Sequence, residues 1–171
     1  MKLRLVALAA AALIAAGDPA LAGQITGPVV GVADGDTLAV LTDGKRQVRV
    51  RLAGIDAPER RQPYGTRARQ ALAALAFSRS AQVEVEDIDR FERPVGRVRV
   101  GGRDVNAEMV RRGAAWVYVR YNRDPTLVPL EAEARAAKRG LWALPEGERI
   151  PPWEWRAARR AARRAERERA R

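Results

Sequence analysis

The sequence predicts an α+β fold that is mostly β, a small closed barrel of five antiparallel strands with about three helices packed on it and an Arg/Ala-rich helical tail. Three observations predict it. Short runs of alternating apolar and polar residues are separated by Asp-Gly pairs in the first third of the chain. Helical periodicity enters only afterwards and between strands. No strand–helix–strand rhythm of a parallel sheet is present, and closure is how a small antiparallel sheet disposes of its edges.

Taken in order, Val29, Val30 and Val32 lead into Asp34-Gly35, and Leu38, Val40 and Leu41 lead into Asp43-Gly44. Val48, Val50 and Leu52 then alternate with Arg49, Arg51 and Ala53. Period-two alternation broken by Asp-Gly turns reads as a three-stranded meander. In its third strand Arg49 and Arg51 project away from the core face. Between Thr66 and Phe77 the period changes, and Ala68, Leu72, Leu75 and Ala76 fall on one helical stripe. Strands return at 82–85 and 95–100. Asp104 is placed to cap a short helix carrying Val105, Met109 and Val110 and ending at Gly113. After a brief extended run at 116–119, Thr126 is expected to cap a third helix bearing Leu127, Leu130, Ala134 and Ala137, stopped at Gly140. Five strands and three helices in this order make an OB-fold the natural candidate.

At 171 residues the chain is one domain with appendages. A core of about 150 residues buries roughly two-thirds of the unfolded surface and needs no disulfide. Residues 1–22 read as a signal peptide, with a basic Lys2/Arg4 start, an apolar run from Leu5 to Ala16 and Ala20-Leu21-Ala22 before Gly23. The domain is expected over 23–150, and Pro151-Pro152 opens a basic tail over 151–171. The mature protein is thus expected to be exported, periplasmic or secreted, monomeric and without a membrane anchor. A formal net charge of +11 points to a polyanionic partner, although an Ala/Arg-rich composition alone could supply it.

The chemistry is bounded by what is missing. With no histidine and no cysteine, zinc triads and Ser-His or Cys-His nucleophile pairs are excluded. Hydrolysis would have to run on carboxylates, a hard cation and arginine. Three segments carry these groups: Asp34-Gly35-Asp36-Thr37, the run Arg51 to Glu59, and Phe91-Glu92-Arg93-Pro94-Val95-Gly96. Asp36 and Asp56 can take a cation, Glu59 a water molecule, and Arg51 and Arg93 phosphate oxygens. Each segment also has an ordinary reading. Asp34-Gly35 makes a hairpin turn. Asp56-Ala57-Pro58-Glu59 looks like a capping box, but Pro63 and Gly65 leave no room for the helix it would cap. An EF-hand fails because Ala39 and Lys45 stand where glycine and glutamate are needed.

In combination these segments resemble the staphylococcal (micrococcal) nuclease family, as do Arg93 to Asn106, Val110-Arg111-Arg112-Gly113, Trp116-Val117-Tyr118 and Gly140-Leu141-Trp142. The resemblance runs from about Thr26 to Trp142 and includes the Arg-x-x-x-x-Asp-x-Pro-Glu spacing. It implies an OB-fold enzyme that hydrolyses DNA and RNA with calcium and leaves 3′-phosphate ends. Asp36 and Asp56 would ligate the cation, with the main-chain carbonyl of Ala57, where the model member has threonine. Glu59 would be general base or water-positioner. Arg51 and Arg93 would bind the scissile phosphate, the unbroken run from Arg93 to Asn106 favouring Arg93 over Arg97. Tyr64, Phe91, Tyr118 and Tyr121 would line the substrate site. Phe91 replaces a tyrosine and Glu92 a glycine, where Glu92 could pair with Arg93. The alternative is a catalytically silent OB-fold module that binds nucleic acid without cutting it. A polysaccharide binder is a more distant third.

Overall fold

The computed structural model describes residues 23–171; the expected signal peptide lies outside the described residues. In chain order the elements are β1 (Gln24–Val32), β2 (Thr37–Leu41), β3 (Gln47–Leu52), β4 (Ile55–Asp56), α1 (Gly65–Ala76), β5 (Ser80–Ile88), β6 (Pro94–Val100), β7 (Arg103–Asp104), α2 (Val105–Arg111), β8 (Trp116–Val117), α3 (Leu127–Ala136) and α4 (Pro152–Arg169).

Strands β1, β2, β3, β5 and β6 close into a barrel. Antiparallel seams join β1 to β2, β2 to β3, β1 to β5 and β5 to β6. The seam between β3 and β6 is parallel, with Arg51 opposite Val95 and Leu52 opposite Gly96. The barrel is therefore mixed rather than wholly antiparallel. No local pattern announces a two-residue parallel seam, because its partners lie more than forty positions apart.

Val29, Leu38, Val40, Val50, Leu52, Val83 and Val98 fill the barrel and are almost completely buried. The stripe of α1 (Ala68, Leu72, Leu75, Ala76) closes one part of it, and Val105, Met109 and Val110 of α2 join the same core. Each large aliphatic side chain buried in this way contributes roughly 1.5–3 kcal/mol. A second cluster, Trp116, Ala134, Leu141 and Trp142, anchors α3 and the segment after it. Gly113 and Gly140 meet back to back there. A Cβ on Gly140 would fall 2.2 Å from the Gly113 carbonyl oxygen, so only glycine fits.

Buried Asn106 ties α2 to the site-bearing strands. Its Nδ2 donates to the carbonyls of Ala53 (2.9 Å) and Gly96 (3.2 Å), and its Oδ1 accepts from the Val98 amide (3.0 Å). Asp104 caps α2 as the sequence predicts, accepting from the Ala107 amide at 2.9 Å. Thr126 does not cap α3 with its side chain. Asp124 accepts from both the Thr126 amide (2.9 Å) and its hydroxyl (2.6 Å), so the carboxylate two residues earlier does that work.

Candidate active site

Two turns bring the acidic residues together. The Asp36 amide donates to Asp34 Oδ1 at 3.1 Å, an Asx turn that sets the carboxylate at the entrance to β2. Gly35 lets this turn press against α1 and Ala57, since a Cβ there would lie 2.6 Å from that of Ala57 and 2.7 Å from that of Ala68. Asp36 Oδ2 accepts the Ala57 amide at 2.9 Å, linking the turn to the 55–59 segment. The pairing of β4 with β8 fixes Asp56 opposite Trp116.

Arg51 joins the two aspartates. It lies on the outward face of β3, as the alternation predicts. Its Nη1 donates to Asp36 Oδ1 and its Nη2 to Asp56 Oδ1, each at 3.0 Å. Both carboxylates are buried. Burial pushes the Asp36 carboxyl up to about 6, with Arg51 working against it. Burial likewise raises Asp56, opposed by hydrogen bonds from Arg156.

Glu59 lies on a tight loop leading to α1. The Gln62 side chain accepts the Glu59 amide (3.1 Å), the Gln62 amide donates to the Glu59 carbonyl (2.8 Å), and Gly65 packs so close that a Cβ would sit 1.9 Å from the Glu59 carbonyl oxygen. The absence of a helix immediately after Asp56 agrees with the reading that no box is capped there.

The structure adds a residue that the sequence did not single out. Arg156, in the second turn of α4, donates from Nη1 to Asp56 Oδ1 (3.1 Å) and Glu59 Oε1 (2.9 Å), and from Nη2 to Asp56 Oδ2 (2.6 Å). Three residues earlier, Trp153 stacks parallel on the Tyr118 ring with centroids 5.2 Å apart, and meets Trp116 edge-on. Gln62 Nε2 also donates to the Ile150 carbonyl, just before the helix. Eight arginines follow Pro152 and nothing in composition marks one of them. The Trp153-x-x-Arg156 spacing, which places both on one helical face, is the signal that could have found it.

Arg93 is bound by a different carboxylate, Asp89. Its Nε donates to Asp89 Oδ2 at 2.8 Å and its Nη2 to the same oxygen at 2.6 Å. The carboxylate it takes is therefore Asp89 and not Glu92, which is exposed. Glu92 has φ of +60°, a left-handed backbone that glycine adopts more readily than glutamate. Arg97 is bound to Asp124 and, at 3.6 Å, to Asp104, which makes it a brace between β6 and the start of α3.

The aromatic candidates do not form one cluster. Tyr64 (φ +71°) is half-buried between the two hydrophobic clusters, Tyr118 and Tyr121 meet edge-on at 4.8 Å, and Phe91 is exposed beneath Arg90 and Arg93.

Among the described residues no three carboxylate, histidine or cysteine side chains gather by themselves as a cation cage. Arginines hold the carboxylates instead. The donor chemistry nevertheless fits a hard divalent cation. Asp36 and Asp56 share one guanidinium, the Ala57 main chain runs against Asp36, and every side-chain donor is oxygen.

Residues 49–144 match the family model described as Staphylococcal nuclease homologue. That span holds Arg51, Asp56, Ala57, Glu59 and Arg93, while Asp36 lies ahead of it. The chain is 46% identical over 161 residues to Protein ParB of Escherichia coli, covering 88% of this chain and 89% of that protein. It is 45% identical over 139 residues to an uncharacterized endonuclease of Escherichia coli O157:H7 (81% and 89% covered). It is 41% identical over 167 residues to a micrococcal nuclease of Shigella flexneri (91% and 94% covered). A family model spanning more than half of the chain, with relatives this similar along nearly their whole length, means that the chain belongs to the staphylococcal nuclease homologue family.

Proposed function

We propose that this protein is an exported, calcium-dependent phosphodiesterase that hydrolyses internal bonds of DNA, RNA or both. One observation carries the reading: Asp36 from the turn before β2, Asp56 from β4 and Glu59 from the loop after it converge on the guanidinium groups of Arg51 and Arg156. The endonuclease and micrococcal nuclease names of the relatives support it.

Asp36, Asp56 and the Ala57 carbonyl would hold the cation, whose bound form supplies charge neutralisation at a phosphate oxygen and an acidified water. Oxygen donors select calcium or magnesium over zinc or copper, and family membership favours calcium. Glu59 takes or orients the proton of the attacking water, a role worth roughly 10²–10⁴-fold. Arg51 and Arg93 stabilise the charge on the phosphoryl oxygens as phosphorus becomes five-coordinate and the 5′ oxygen leaves, so that the phosphate stays on the 3′ end. Tyr64, Phe91, Tyr118 and Tyr121 contact the substrate. Export rests on the leader-like sequence of residues 1–22.

The silent-module reading has one observation in its favour, the pinning of Arg93 by Asp89. A plasmid-nicking assay separates the two. Nicking with calcium and none in excess chelator is the expected outcome. Robust cleavage under chelation overturns the cation dependence, and DNA binding without nicking selects the silent module.

A further inference from the structure

The beginning of α4 occupies both halves of the centre just described. Arg156 takes three oxygens, two from Asp56 and one from Glu59. Trp153 covers the face of Tyr118 with rings inclined by only 1°. The two side chains are three positions apart and so point from one helical face. They sit on groups of two different kinds, carboxylates that attract cations and a tyrosine ring suited to stacking on a base. The rest of α4 makes no such contact: from Arg160 onward every residue is exposed. The helix is thus fastened by its first turns, at the site.

We propose that this end of α4 is a strap over the centre, Arg156 competing with a divalent cation for Asp56 and masking the water-handling Glu59 while Trp153 blocks Tyr118. The inference rests on the reading of these carboxylates as the cation- and water-handling groups. Charge supplies the exchange. Three carboxylates face two guanidiniums, Arg51 and Arg156. Arg51 is fixed between Asp36 and Asp56 by β3, whereas Arg156 arrives on a helix anchored only locally. A dication that enters repels the nearer movable charge, and Arg156 is that charge. Its departure takes Trp153 with it and uncovers Tyr118 for a base, while the freed guanidinium becomes available to phosphate. Cation binding and opening of the substrate site are then one equilibrium, and either ligand assists the other.

The test uses the full-length protein without nucleic acid. Calcium is titrated by calorimetry and by tryptophan emission into the wild type, Arg156→Ala, Arg156→Gln and Trp153→Phe. The wild type should show a saturable red shift as the start of α4 lifts, smaller but still present in Trp153→Phe, where Trp155 of the same turn, its indole N–H buried, still reports the movement. Arg156→Ala should bind calcium about tenfold more tightly or better, within the usual span of coupling between linked sites. Arg156→Gln, which keeps the side chain's bulk and a hydrogen bond, serves if the alanine variant does not fold, and should also bind more tightly. Equal affinity in wild type and variants with no emission change overturns the strap while leaving the cation reading intact. Weaker binding in the Arg156 variants overturns the strap by making Arg156 a support of the site. Calcium binding to none of the proteins overturns the strap together with the cation reading beneath it.

Discussion

At the scale of single residues, Arg51 matters for stability as well as chemistry. Its guanidinium is one-fifth exposed and is the ion-pair partner shared by two aspartates that are almost wholly buried. The outward direction predicted for it is correct, but outward here means under the covering turns and not in solvent. Among the described residues Arg51→Ala leaves Asp36 without an ion pair, since Arg156 reaches Asp56 and Glu59 instead. Truncating one partner of a buried pair costs about 3 kcal/mol or more. The variant is expected to lose that stability in urea denaturation and at least about 10² in turnover. Arg51→Lys should not restore either, because a point charge cannot bridge two carboxylates as a planar fork does. Arg93 and Arg97 separate in the opposite way. Arg97 braces Asp124 and Asp104, so Arg97→Ala should lower the melting temperature and leave turnover within a few-fold. Arg93, held by Asp89 within its own turn, should on replacement by alanine lose at least about 10² in turnover with little change in melting. A crippled Arg97→Ala beside a nearly normal Arg93→Ala would reverse the assignment. The carboxylates and Arg51 were legible because few chemistries remain to a chain without histidine or cysteine. Arg156 was not, because arginine is the commonest kind of residue around it.

At the scale of elements, the local signals that predicted correctly are those whose partners lie within a few positions. The stripe of α1 and the Asp104 cap depend on i to i+3 or i+4 neighbours, and both are present. The Thr126 cap failed because Asp124 takes the Thr126 amide and hydroxyl for itself, and Pro129, at the position where that hydroxyl would find an amide, has no N–H. The turn between β5 and β6 shows the same strength of carboxylate capping. Asp89 accepts from the Phe91 amide (2.8 Å), the Arg93 amide (3.0 Å) and the Arg93 side chain. Burial works to raise its carboxyl, and these hydrogen bonds outweigh burial and leave it below its ordinary value. A carboxyl depressed in the folded state adds stability above its unfolded value near 3.9, and loses that contribution as pH falls through the folded value. Asp89→Asn keeps most of the turn's acceptors and removes the charge. It should therefore be less stable than the wild type at pH 7, by roughly 0.2–1 kcal/mol for a pair this near the surface, and the difference should shrink in acid as Asp89 protonates. Urea melts at neutral pH and in acid measure this. A difference that persists undiminished in acid would mean that the charge is not what holds the turn.

For the whole molecule, positive charge is concentrated in α4, whose 18 residues hold seven arginines and three glutamates. Like charges four apart, such as Arg156, Arg160 and Arg164, oppose the helix by roughly 0.2–0.5 kcal/mol each, and an isolated helix of 18 residues is marginal. The fastening at Trp153 and Arg156 supplies a nucleus that the free segment lacks. Beyond it Arg160, Arg163, Arg164 and Arg167 stand in solvent, reaching about 16 Å from Arg156 along the axis at 1.5 Å per residue. Arg164 pairs with Glu168, but both are mostly exposed and the pair is screened. This geometry suits an arm that contacts the phosphates of a long substrate whose scissile bond lies at the carboxylates. Replacing Arg160, Arg163, Arg164 and Arg167 by alanine leaves the fastening intact and removes only the arm's charge. Binding to long DNA should weaken, and the slope of log affinity against log salt should flatten by roughly 0.7–0.9 for each phosphate that the arm no longer neutralises. A dinucleotide is too short to span from the carboxylates to the arm, so its hydrolysis should not sense the substitutions. Calcium affinity should not change either, which separates the arm from the strap at its root. An unaltered salt slope in the fourfold variant would leave the distal half of α4 as a solvated extension without a part in binding.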